Sequence, residues 1–162
     1  MEAELTWVDG LEPAELREAI EALPDELADQ LESAAEDIGT RIRGAAQENA
    51  PVDENRLRSS LESLVEKVGN TIVRVRVGTN VEYAEPLEEG TDPFFPPPSE
   101  LRGWAGRVLG DEDLAYPVAR SISETGIEEH RYLRDALQDN IEWALTRVAE
   151  AVQSAFEEVG LA

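Results

Sequence analysis

The chain of 162 residues has a single histidine, His130, no cysteine, and 36 aspartates and glutamates. A Ser-His-Asp arrangement would have to use His130. It stands in Glu128-Glu129-His130-Arg131, with no serine nearby in the strained turn that exposes a nucleophile. Carboxylates this abundant fall into pairs everywhere, so no pair of them points to general acid–base catalysis. Asp111-Glu112-Asp113 could hold a cation, but it lacks the roughly 12-residue spacing of a calcium loop, and a helix N-terminus explains the acids equally well. Gly103-Trp104-Ala105-Gly106 has the wrong spacing for a phosphate-cradling loop and follows the start of a helix instead of a strand. The lack of cysteine excludes disulfide frameworks, zinc knuckles and thiol chemistry. The expectation is therefore a protein without catalytic residues, metal site or cofactor.

The residues with potential for chemistry are instead suited to binding. Phe94-Phe95 runs into Pro96-Pro97-Pro98. A polyproline segment is stiff, and two adjacent aromatics on it would anchor a partner, or else pack back on the chain's own sheet. Trp7 stands alone in an acidic leading segment, either tucked onto its own domain or serving as a peg for a neighbour. Arg74 and Arg76 share one face of a strand whose other face is Val73, Val75 and Val77. The interface candidates are thus Trp7, Arg74, Arg76, Phe94, Phe95, Pro96 and Pro97.

The elements that must carry these residues are read from hydrophobic spacing. Leu27, Leu31, Ala34, Ala35, Ile38, Ile42, Ala45 and Ala46 recur at three- and four-residue steps, which predicts a helix from Pro24 to Ala50, where Pro51 ends it. A shorter helix over Pro13 to Leu23 precedes it. Leu57, Leu61, Val65 and Val68 fit a strand or a helix, whereas Thr71 to Val77 alternates cleanly as a strand. Gly69-Asn70 makes a hairpin turn, and an antiparallel ribbon results. Residues 84–98 hold five of the nine prolines and read as an ordered loop or extended arm. Helices follow near Ser99 to Leu109 and Leu114 to Glu124, the latter stopped by Gly126. A long amphipathic helix from about Tyr132 to Val159 carries Leu133, Leu137, Ile141, Ala144, Leu145, Val148, Val152, Phe156 and Val159 on one stripe. The fold class is α+β: a long N-terminal helix, an antiparallel β ribbon, a Pro-rich loop and C-terminal helices. Residues 1–24 form an arm and short helix, and residues 25–162 one domain. No apolar run approaches the roughly 20 residues of a membrane span, and the N-terminus lacks the basic and apolar regions of a signal peptide.

Charge is distributed unevenly. Residues 1–40 carry −12, 41–80 carry +2, 81–110 carry −4 and 111–162 carry −8, for a net −22. The strand-bearing stretch escapes acidification, as a surface facing a partner or a core sheet would. Free binding to DNA or to an anionic membrane is disfavoured. The positive side consists of 13 arginines and one lysine, Lys67. Carboxylates in excess with lysine shed is the composition expected of a protein working in molar salt, where the Debye length shrinks to about 3 Å, the alternative being a merely acidic mesophilic protein.

The order of short motifs resembles a known family. Ala50-Pro51-Val52-Asp53 ends a helix. Then come Arg56-Leu57-Arg58-Ser59-Ser60-Leu61, Tyr83-Ala84, Glu89-Gly90-Thr91 and the proline-rich stretch. Leu101, Trp104-Ala105, Ala115-Tyr116, Ala119-Arg120-Ser121-Ile122, Gly126 and Tyr132-Leu133-Arg134-Asp135-Ala136-Leu137 complete the series. This pattern resembles the tail-completion, or head-tail joining, proteins of long-tailed viruses, the gene-product-ten-like minor tail family. Two positions depart from it: Glu54-Asn55 stands where the family has Thr-Gly, and Tyr132 where it has Phe. The resemblance implies a non-enzymatic virion protein of the neck, assembled in the host cytoplasm. It implies a homo-oligomeric ring, typically a hexamer, between the head connector and the tail tube, with DNA passing through without specific binding. Connector or adaptor proteins, the tail tube protein and further copies of the chain would be its partners. An acidic DNA mimic occupying a nucleic-acid-binding protein is the alternative that the charge alone would allow.

The composition makes a direct prediction. A thermal melt followed from low to multimolar KCl should show the midpoint rising with salt; a midpoint that is flat or falls would remove the hypersaline reading.

Overall fold

The computed structural model describes residues 13–51, 56–68 and 72–162. Trp7, residues 52–55 and the expected Gly69-Asn70 hairpin turn lie outside the described residues. Helix α1 spans Pro13–Asn49 and α2 Arg56–Ser60. Strands β1 (Glu62–Lys67) and β2 (Val73–Gly78) pair as a two-stranded antiparallel ribbon. Helices α3 (Ala84–Glu89), α4 (Pro98–Val108), α5 (Ala115–Thr125) and α6 (Tyr132–Glu158) follow, with a short 3-10 turn at Glu112–Leu114 before α5. The α+β class is as the spacing predicts.

Three elements differ from expectation. The two N-terminal helices are one, and Pro24 lies inside it. An interior proline removes a backbone donor and costs about 3 kcal/mol. The strong helix formers around it, Glu18, Ala19, Ala22, Leu23, Glu26, Leu27 and Ala28, favour continuing the helix through that cost. Residues 84–98 are not loop throughout, because 84–89 form α3. Pro86 is its third residue, before the first intrahelical donor, Leu87, whose N–H reaches the Tyr83 carbonyl at 3.2 Å. A proline there loses nothing. The ambiguous stretch from Leu57 divides into a helical turn and then β1.

The third difference is the phase of α6. Its enclosed residues are Tyr132, Ala136, Asn140, Ala151 and Ala155. Each precedes a member of the apolar stripe by one residue, a rotation of roughly 100° about the axis. Leu137, Ile141, Leu145, Val148 and Phe156 are consequently exposed, Leu145 to 66%. Periodicity reports the large apolar side chains, whereas the neighbours pack on the small ones beside them.

Contacts divide the chain into two compact units. The first comprises the described residues up to Gly39, with Leu64–Arg76 and Glu142–Ala162; the second comprises Thr40–Ser63 and Val77–Ile141. In the first, α1 buries Ala19, Ala28, Ala34, Ala35 and Ile38, and α6 buries Ala151 and Ala155. Asp37 accepts from Arg147 Nε at 2.9 Å, and Lys67 bridges Asp29 at 2.7 Å and Glu32 at 2.8 Å. Hydrogen bonds to those two carboxylates push the Lys67 ammonium above its ordinary pKa. In the second unit Ala46, Ala50, Leu57, Leu61, Ala84, Tyr132 and Ala136 make one cluster, with Val81, Tyr83, Leu87 and Leu133 against it. Asn140 is buried there and satisfied: its amide donates to the Ala136 carbonyl at 2.8 Å, and its oxygen accepts from Arg41 Nε at 2.6 Å.

Gly126 stops α5 as expected, with φ of 77° and its N–H on the Ile122 carbonyl at 2.8 Å. A Cβ at this position would lie 2.0 Å from the Thr91 carbonyl oxygen. Gly160 has a similar φ of 74° but open space around it. Gly126→Ala should therefore lower the melting midpoint well beyond what Gly160→Ala does. The second change costs only the left-handed strain of about 1–2 kcal/mol, and the first adds the clash. Equal midpoints in paired calorimetry would contradict the described turn.

Candidate assembly surface

The motif residues converge on the closure of the second unit. Arg58 caps the C-terminus of α1: its Nε donates to the Ala50 carbonyl at 2.9 Å, and Nη2 reaches the same carbonyl at 2.7 Å and that of Glu48 at 3.3 Å. A guanidinium there satisfies helix carbonyls left without a partner and complements the negative end of the dipole. Ser60 Oγ and Thr79 Oγ1 meet at 2.6 Å, tying the end of α2 to the segment after β2.

At the other end, Glu88 of α3 caps α6. Its two carboxylate oxygens accept from the backbone N–H groups of Leu133 and Arg134, each at 2.8 Å. The chain enters α6 alongside α3: the His130 N–H meets the Leu87 carbonyl at 2.8 Å and the Arg131 N–H the Glu88 carbonyl at 3.2 Å. Arg131 adopts a positive φ of 48° in this tight entry. Burial, and then the neighbouring Glu88, raise the Tyr132 hydroxyl above its ordinary pKa. Thr91 pairs with Ile127 as an isolated antiparallel bridge, N–H to carbonyl at 2.9 Å, with Thr91 Oγ1 accepting from the Ile127 N–H at 3.0 Å. Gly90 and Gly126 flank it, both at positive φ. Glu89-Gly90-Thr91, Gly126 and Tyr132-Leu133 are distant in sequence and adjacent here.

Among the described residues, the candidates of catalytic type do not assemble into a site. His130 is exposed and engaged through its backbone. Asp111 caps the turn before α5, its carboxylate accepting from the Asp113 N–H at 2.9 Å. Gly103 and Gly106 lie inside α4. Among the described residues no group of three or more His, Asp or Glu side chains is placed to hold a metal ion. The first unit has an open groove of about 700 Å³ whose acids are Glu15, Glu18, Asp25, Glu26, Asp29 and Glu158. Like charges gathered this way repel, and salt relieves the repulsion.

Among the binding candidates, Phe94 and Phe95 are exposed, at 45% and 52%. Phe95 meets Tyr116 of α5 edge to face, with ring centroids 6.1 Å apart and planes at 67°. Tyr116 is itself open to solvent, as are Val108, Leu109 and Leu114 in the same unit. These four were missed by the sequence reading, although Tyr116 stands in one of the motifs. Pro96 is buried and Pro97 exposed, the latter leading into α4 with extended geometry (φ −58°, ψ 121°). Arg74 and Arg76 are on the exposed face of β2, and Arg76 pairs with Glu66 of β1 at 2.9 Å. Several bases of the non-acidic stretch 41–80 are engaged within the chain: Arg41 on Asn140, Arg58 on Ala50, Lys67 on Asp29, Arg76 on Glu66. The two aromatics and the two arginines belong to different units.

Residues 14–90 match the HK97-gp10-like family model, described as "Bacteriophage HK97-gp10, putative tail-component". Comparison with curated proteins and with solved structures gives no match. The matched span runs from α1 through the ribbon to α3 and Gly90. It takes in the Arg58 and Glu88 caps, and the motifs from Leu101 onward lie beyond it.

The cap geometry is testable. Glu88→Ala leaves two N–H groups of α6 without their carboxylate and should cost about 0.5–2 kcal/mol in urea unfolding. An unchanged midpoint would show that the cap does not hold α6.

Proposed function

We propose that the chain, whose residues 14–90 match the bacteriophage HK97-gp10-like tail-component family model, is a structural virion protein of the neck. In this reading copies of the chain form a ring that joins the head connector to the tail tube, and DNA passes through it. The carrying observation is the placement of apolar side chains. Phe94, Phe95, Val108, Leu109, Leu114 and Tyr116 are exposed in one unit, where the buried positions of α4 and α5 are alanines: Ala105, Ala115 and Ala119. Such an apolar and aromatic surface costs solvation in an isolated chain and is recovered when subunits cover it.

The rest of the proposal follows from physical requirements. Ring closure needs a heterologous interface, one patch meeting a different patch on the next copy. Phe94, Phe95 and Pro97 offer one such patch, and the exposed face of the ribbon, with Arg74 and Arg76, offers another. Trp7 is a third candidate. A channel through which DNA slides must not hold it, and a net charge of −22 disfavours phosphate binding. The role is assembly, with no catalytic step.

The test is a complementation assay in which heads and tails are joined with the wild-type chain or with Phe94→Asp and Phe95→Asp variants. Both side chains are solvent-facing, so circular dichroism should be unchanged while joining falls at least tenfold. Wild-type joining by the folded variants would remove this segment from the mechanism.

A further inference from the structure

The exposed stripe of α6 has an internal symmetry. Leu137, Ile141, Leu145, Val148, Val152 and Phe156 follow one another at steps of 4, 4, 3, 4 and 4 residues, a series that reads the same in both directions. Its centre lies between Thr146 and Arg147. A second α6 laid antiparallel over this centre sets Leu137 against Phe156, Ile141 against Val152 and Leu145 against Val148. Val152 is half-buried and the other five are exposed. Helix side chains three and four apart lie on one face, and a palindromic spacing lets that face meet its own copy position for position when the second helix runs antiparallel.

Charge selects the same arrangement. Residues 131–135 bring two arginines, Arg131 and Arg134, against one aspartate, whereas residues 153–159 bring Glu157 and Glu158 and no base. Antiparallel pairing places the arginine end of one helix by the glutamate end of the other, and it opposes the helix dipoles favourably. Parallel pairing would set like ends together. The stripe positions between Leu137 and Phe156 bear no charge, in a chain that carries −22.

We propose that this stripe is a two-fold interface between two copies of the chain, with their α6 helices antiparallel about Thr146-Arg147. The surface is isologous, each copy giving and receiving the same patch, and it is distinct from the heterologous contact that a ring requires. It stands independently of the neck reading, since it concerns the purified chain alone. Association should strengthen with salt, because two chains of −22 repel until screening is effective.

The test uses the full chain at about 2 M KCl, where the Debye length is below about 3 Å. Light scattering should give twice the 17.9 kDa chain mass. Leu145→Glu, a change at an exposed central position, should weaken association at least tenfold with helix content retained. The chain has no cysteine, so Leu137→Cys and Phe156→Cys can be introduced singly. Oxidising a mixture of the two should cross-link them to each other, and neither should link to itself. A monomeric wild type, a Leu145→Glu variant that still dimerises, or Leu137→Cys linking to its own copy would each overturn the proposal.

Discussion

Small side chains at the helix contacts are the constraint from which the rest of the molecule follows. Thirteen of the eighteen buried apolar side chains among the described residues are alanines. Alanine lets neighbouring elements approach closely and gains its stabilisation from dense packing instead of from large buried areas. Apart from Ile38, Ile42, Leu57, Leu61 and Tyr132, the large apolar side chains of the described residues are not enclosed. In α6 they are turned aside by one position, and around α4 and α5 they face solvent. A chain built this way encloses itself economically and leaves its larger apolar groups available to other surfaces.

Closely packed helices must still have their ends satisfied, and two caps of the second unit do that, Arg58 from 8 residues away and Glu88 from 45. Arg58 holds the carbonyls at the end of α1, and Glu88 holds the amides at the start of α6. Gly90 and Gly126, both at positive φ, allow the Thr91–Ile127 bridge that brings α3 to the entry of α6. The short motifs that resemble a viral tail family are therefore largely folding devices. They mark the caps, the close approaches and the enclosed small residues Ala50, Ala84, Ala105, Ala115, Ala119 and Ala136.

Legibility in the sequence followed the strength of the local signal. Val73, Val75 and Val77 alternating with Arg74 and Arg76 was enough for β2, and Gly126 was enough for the end of α5. The phase of α6 was not legible. Large apolar residues dominate a helical period, yet an alanine one step away can be the buried residue, and nothing local decides between them. Pro24 and Pro86 misled in the same manner: a proline's effect depends on whether its missing N–H was needed, which is a property of the finished helix. The Glu88 cap had no local signal at all, because its partners are 45 and 46 residues away. Of the site candidates, the exposure of Phe94 and Phe95 could be considered from their proline neighbours, whereas Tyr116 enters only through the packing of α5 beside Phe95.

The central claim is that the exposed apolar side chains are assembly surfaces of a virion component. Cryo-electron microscopy of intact virions at side-chain resolution tests it most directly. The account predicts the chain between head and tail, with Phe94 and Phe95 enclosed by neighbouring subunits. Particles that lack the chain, or that hold it with both phenylalanines in bulk solvent, would contradict it.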